Sequence, residues 1–271
     1  MASSFLLSLR EGLEAALIVG IVLGALRKTG RSDLRRWVWG GVLSAIAFSL
    51  LAAVSLGVFG AQVEGHAEEI YEGVAMLTAA GLLTWMILWM QKQSRQIKTR
   101  LESEVSQAVL VGGKWALFLL AFLAVGREGF ELALFLTAST FSAGAAQTSV
   151  GAMLGLGTAI LLGWLLYTST VRLDLSVFFK VTGVLLLLFA AGLVAHGVHE
   201  LNEAGLIPAV VEHLWDVNHL VDENSPTGAI LKALFGYNGD PSLSEVTAYM
   251  LYLAGISAAW VWQSRVRLQT A

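Results

Sequence analysis

The sequence has 271 residues, 56% of them hydrophobic and 14% charged, with a mean hydropathy of +0.70 and a formal net charge of −3. That composition excludes an ordinary soluble domain and describes an integral membrane protein. The absence of cysteine excludes disulfides, thiolate metal sites and cysteine redox chemistry, and neither charge nor motif points to a nucleic-acid partner.

Apolar stretches long enough to cross about 30 Å of hydrocarbon as helices fall at 5–26, 38–59, 70–90, 115–136, 150–170, 177–195 and 243–262. The first lacks a basic leader and carries Arg10, Glu11 and Glu14 inside its apolar run, so it reads as a retained span rather than a cleaved signal. A basic loop follows, with Arg27, Lys28, Arg31, Arg35 and Arg36, and the second span leads to an acidic turn with Glu64, Glu68 and Glu69. Span three opens on Glu69 and Glu72 and ends at a second basic loop containing Lys92, Arg95, Lys98 and Arg100. Span four carries Arg127, Glu128 and Glu131; Arg172 and Lys180 lie between spans five and six; Glu200 and Glu203 close span six beside His196 and His199.

The segment 204–242 is expected to hold short helices. Pro208 can open one in which Val210, Val211, Leu214, Val217 and Val221 line one side, and Ser225-Pro226 can cap another running toward Phe235. These read as interfacial helices or a lid. His66, His213 and His219 are expected to be solvated loop residues. Span seven, with Arg265 and Arg267 after it, completes an all-α integral membrane fold of seven helices in one domain.

Basic loops mark the cytoplasmic side, and counting through the spans gives an N-outside, C-inside topology. Trp37, Trp39, Trp85, Trp89, Trp115, Trp260 and Trp262 fall at the same cytoplasmic ends, as interfacial anchors do.

The chain also repeats itself. "REGLEAAL" at Arg10–Leu17 returns as "REGFELAL" at Arg127–Leu134, and "AAGL" at Ala79–Leu82 returns at Ala190–Leu193. The common order makes spans one to three (about 1–92) and four to six (about 113–203) two copies of one unit. An odd number of spans per unit makes them an inverted 3+3 repeat, with span seven, about 243–263, added at the end. Gly20 and Gly24, and Gly151 and Gly155, each four apart, are candidates for close helix approach.

Within each triplet the arginine and second glutamate are i, i+4 and the two glutamates i, i+3, so all three side chains share one broad helix face. Charges inside a membrane are costly, about 2.5–3.5 kcal/mol each on insertion scales, so both triplets should face inward. A purely structural ion pair is one reading. The functional reading starts from the surplus: two carboxylates and one guanidinium leave −1 per triplet and −2 for two, which attracts a cation. Carboxylate oxygens are hard ligands suited to Mg²⁺, Ca²⁺, Mn²⁺ or iron. Glu11, Glu14, Glu128 and Glu131 are thus the candidate metal ligands, with Arg10 and Arg127 as supporting ion pairs. Glu69, Glu72, Glu200 and Glu203 form a candidate outer capture layer.

Two R-E-G-x-E motifs in spans one and four of a seven-span protein, together with "GYNGDPSLSEV" before span seven, resemble the oxidase-dependent iron permease family, which includes the high-affinity iron permease of fungi and the bacterial Efe-type permeases. The resemblance covers essentially the whole chain and is closest to the bacterial members. It implies import of iron across the bacterial inner membrane, with iron as transported substrate rather than resident cofactor. It also implies the R-E-G-x-E glutamates as ligands and periplasmic partners that oxidise or deliver iron. Against it stand transport of another cation, such as lead or manganese, and a membrane-embedded di-iron oxidase. The second lacks the Glu-x-x-His motifs that such sites use.

Overall fold

The computed structural model describes residues 1–93, 97–109, 113–168, 175–222 and 225–269. Arg95, Thr170 and Arg172 lie outside them, as do the side chains of Lys92, Lys98, Arg100, Trp262, Arg265 and Arg267. The helices are α1 (Ala2–Lys28), α2 (Arg35–Ala61), α3 (His66–Gln93), α4 (Ile97–Gln107), α5 (Gly113–Ala143), α6 (Ala145–Thr168), α7 (Leu175–Glu203), α8 (Pro226–Phe235) and α9 (Leu243–Gln269).

Among the described residues, four segments, Ser32–Gly60, His66–Met90, Ala145–Leu166 and Val177–Glu203, are long and apolar enough to cross a membrane. The 27 residues of α1 and 31 of α5 have the length, since a helix rises about 1.5 Å per residue, but they carry the charged triplets. Burial is inverted relative to a soluble protein. Leu51 and Ile160 are 67% and 71% exposed, whereas Arg10 and Glu11 are 1% exposed. Apolar side chains ring the outside because hydrocarbon, not water, solvates them, and ionised groups go to the inside.

Along the middle of the molecule α6, α1, α5 and α2 lie side by side in that order, and α3 packs against α7. Small residues make the two outer contacts. Gly151 of α6 sits on Met1 and Ser4 of α1, and Ala159 sits on Gly12. Gly41 of α2 sits on Phe118 and Ala121 of α5, and Ser49 sits on Gly129. Residue numbers rise together along both contacts, so the helices of each pair are parallel. Phe118, Ala121 and Gly129 take on α5 the places that Met1, Ser4 and Gly12 take on α1. Between α3 and α7 the contact is antiparallel: Gly73 meets Gly197 and Ile87 meets Gly183.

Gly151 and Gly155 are thus close-approach positions, but Gly20 and Gly24 are not: a methyl group at either would meet nothing within 4 Å. That face of α1 is turned from its neighbours. The segment expected to form a helix after Pro208 is irregular. Val210 has φ of 62°, and the backbone there bonds across the loop instead, Leu214 N to Pro241 O at 3.0 Å and Val217 N to Gly239 O at 2.8 Å. The second expected helix is α8: the Ser225 hydroxyl accepts from Gly228 N at 3.0 Å, Pro226 opens the first turn, and Gly236 at φ 67° closes it, the usual Ser-Pro start and left-handed glycine stop. Gly236 lies backbone to backbone on Gly192 of α7. Helix α4 was not expected. Val105 and Ala108 bury against Leu26, Leu34 and Val38, and Glu102 bonds Lys28 at 2.8 Å.

Candidate metal site

Each triplet sits in the third turn of α1 or halfway along α5, on the side where those two helices meet. Arg10 donates from Nε to Glu14 Oε1 at 3.0 Å, and Arg127 donates from Nε to Glu131 Oε1 at 2.7 Å. Both pairs are the i, i+4 contacts that helix geometry makes available. Arg10 also reaches Met90 Sδ at 3.5 Å, and the Arg127 guanidinium lies over the Trp89 ring, 5.0 Å from its centroid. The last turns of α3 therefore support both arginines, and Trp89, expected among the interfacial anchors, serves here as a cation–π platform. The arginines differ in burial: the side chain of Arg10 is 1% exposed and that of Arg127 39%.

Glu11, Glu128 and Glu131 each offer one carboxylate oxygen, and the three oxygens lie within 4.8 Å of one another. Glu14 is not in this group; its carboxylate is turned to Arg10. Among the described residues, Glu11 Oε1 and Oε2, Glu128 Oε2 and Glu131 Oε2 are buried with no hydrogen-bond partner. Arg10 Nη1 is unpartnered as well. Orphaned polar atoms in a protein interior cost about 1–3 kcal/mol each and more when charged, and like charges in a low dielectric repel strongly. An array of this kind is incomplete by itself. A hard cation would supply what the oxygens lack, accepting several carboxylates at once.

At one end of α3 and α7 lies the second acidic group. Glu72 and Glu200 are close enough for their charges to interact, with Glu68 also in reach of both, and Glu69 and Glu203 within reach of Glu200. His66 Nδ1 stands 3.6 Å from Glu69 Oε2. His213, expected to be a solvated loop residue, is exposed and pairs with Asp240 Oδ2 at 2.8 Å.

Sequence reasoning missed Glu245. Its side chain is 3% exposed and holds three partners: His199 Nδ1 at 3.0 Å, Ser242 N at 3.1 Å and Asn238 Nδ2 at 2.7 Å. Glu245 N donates in return to Ser242 Oγ at 3.3 Å, so S-L-S-E at 242–245 is a reciprocal cap of α9. That spacing was the available signal. The other ring nitrogen of His199 points to Glu203 Oε1 at 3.4 Å, which ties α9 to the acidic end of α7.

Long apolar helices around a buried carboxylate cluster that could hold a metal ion are the marks of an integral membrane protein. Residues 1–266 match the iron permease FTR1 family, and the chain belongs to that family. It is 40% identical over 270 residues to the ferrous iron permease EfeU of Escherichia coli O6:K15:H31 (strain 536 / UPEC), covering 96% of this chain and 95% of that protein. It is 41% identical over 258 residues to the ferrous iron permease EfeU of Shigella sonnei (strain Ss046), covering 92% and 91%. The protein of that name from Yersinia pestis is 37% identical over 251 residues, covering 92% and 89%. No solved structure matches. The protein is an iron permease, a transporter rather than an enzyme, and the di-iron oxidase reading is set aside.

Proposed function

We propose that this protein imports iron across the bacterial cytoplasmic membrane, binding it at Glu11, Glu128 and Glu131. The observation that carries the reading is the convergence of three carboxylate oxygens within 4.8 Å on two helices from distant parts of the chain. Relatives named ferrous iron permeases make Fe²⁺ the first ion to offer. Glu69, Glu72, Glu200 and Glu203 gather the ion at the outer face and raise its local concentration by their field. Arg10 and Arg127 hold Glu14 and Glu131 when no ion is bound.

The proposed topology has seven spans, N-outside and C-inside, with spans one to three and four to six as inverted copies. The equivalent parallel contacts of α1 with α6 and of α5 with α2 support it, since inverted copies place the first helix of one beside the second helix of the other. Periplasmic proteins that oxidise or deliver iron are the proposed partners.

The test is iron-55 uptake into proteoliposomes holding the purified protein, with ferrous and ferric iron offered separately and Glu14→Ala and Glu131→Ala as controls. Uptake of one form, lost in Glu131→Ala, is the expected result. Manganese or lead taken up in preference to iron would replace the substrate, and no uptake of any ion would refute the reading.

A further inference from the structure

The glycine of R-E-G-x-E carries no ligand, yet both copies stand at close contacts between helices. A methyl group on Gly12 would stand 2.7 Å from Ala159 Cβ, and one on Gly129 would stand 2.7 Å from Ser49 Cβ and closer still to Ser49 Oγ. Ordinary contacts between carbon atoms are about 3.5–4.0 Å, so neither position has room for a side chain. In a helix a residue two positions on lies about 200° round. Gly12 and Glu14, and likewise Gly129 and Glu131, therefore point to opposite sides of their helices.

We infer that Gly12 and Gly129 are positioning residues for the iron site, each setting the distance of its helix from the neighbour behind it. The order α6, α1, α5, α2 puts the carboxylates in the central contact and the glycines in the two flanking ones. Seating α1 on α6 and α5 on α2 fixes how far apart the two carboxylate-bearing faces stand. The motif then encodes two faces of one helix: R-E and the last E line the site, and G makes the seat. The small residues it sits on belong to the other half of the chain, so each half of the site rests on a helix from the opposite repeat. Small residues recur every four positions on both supporting helices, at Gly41, Ala45 and Ser49 of α2 and at Gly151, Gly155 and Ala159 of α6. This is the small-xxx-small pattern by which membrane helices approach closely.

The inference rests on the iron-permease reading, so its test includes a signal that needs no iron. Gly129→Ala should move α5 off α2 by about 1 Å to restore ordinary contact and lower the initial rate of ferrous iron uptake at least tenfold. Ser49→Gly added to it should return most of the rate, and Ala159→Gly should do the same for Gly12→Ala. The iron-free signal uses the natural absence of cysteine. One turn away, a Cβ on Gly126 would lie 3.7 Å from Ala45 Cβ, a separation suited to a disulfide. Ala45→Cys/Gly126→Cys should cross-link readily under an added oxidant, less with Gly129→Ala, and again with Ser49→Gly also present. Unchanged cross-linking in Gly129→Ala, or a loss that Ser49→Gly does not reverse in protein that still inserts, would overturn the seat. If the parent protein moves no iron, the function reading fails and the cross-linking alone decides the positioning role.

Discussion

Glu11 and Glu128, on helices from opposite halves of the chain, bring buried carboxylate oxygens within 4.8 Å of each other. Arg10 and Arg127 are turned to Glu14 and Glu131 instead. The cluster's buried oxygens therefore lack hydrogen-bond partners, and that has a measurable consequence. Glu11→Gln keeps the shape and adds a donor for a neighbouring oxygen. We expect it to abolish uptake while raising the melting temperature of the iron-free protein in detergent by roughly 2–4 °C, the shift that about 1 kcal/mol gives a chain of this size. A fall in melting temperature together with retained uptake would contradict this.

The two arginines should differ. Arg10 is buried and its removal leaves Glu14 uncompensated, which costs about 3–5 kcal/mol for a buried pair. Arg127 is 39% exposed and its partner Glu131 14% exposed, so Arg127→Ala should cost less, about 1.5–3 kcal/mol, the value of a hydrogen bond to a charged group. Thermal unfolding of both variants in the same detergent checks the order; equal losses would show that exposure does not separate them.

How much of this was legible in the sequence depends on what set each feature. The charged triplets announced an interior site because charge inside an apolar run has nowhere else to go, and i, i+4 spacing supplied the arginine partners. Which glutamates converge was not legible, because it depends on how α1 and α5 pack against each other. The failed helix after Pro208 shows a different limit: its apolar spacing was helical, but its amides bond to 239–241, a tertiary choice no local pattern records. Helix α4 falls in a segment whose basic charge marks a loop, although Leu101, Val105 and Ala108 carry helical spacing.

The outer acids should govern capture rather than passage. Glu72→Gln/Glu200→Gln weakens the field at the entrance without touching the central cluster, so the iron concentration for half-maximal uptake should rise several-fold with the maximal rate kept. A reduced maximal rate at unchanged half-saturation would place these residues in the translocation step instead.

Glu245 should be structural. Replacing it with alanine leaves Ser242 N, Asn238 and His199 without their shared acceptor and should cost about 2–3 kcal/mol, a lost cap plus unsatisfied buried donors. Limited proteolysis should then cut within 206–242 at lower protease concentration than in the parent protein. Resistance equal to the parent's would show that the loop is held by other contacts.

If carboxylates at the α1–α5 contact hold the iron, the metal's own ligand shell must show it. X-ray absorption at the iron edge, on purified protein loaded with one equivalent of ferrous iron, reads the ligand shell directly. A shell of oxygen atoms is expected, abolished in Glu11→Gln/Glu128→Gln. A nitrogen-containing shell, or one unchanged in that variant, would contradict it.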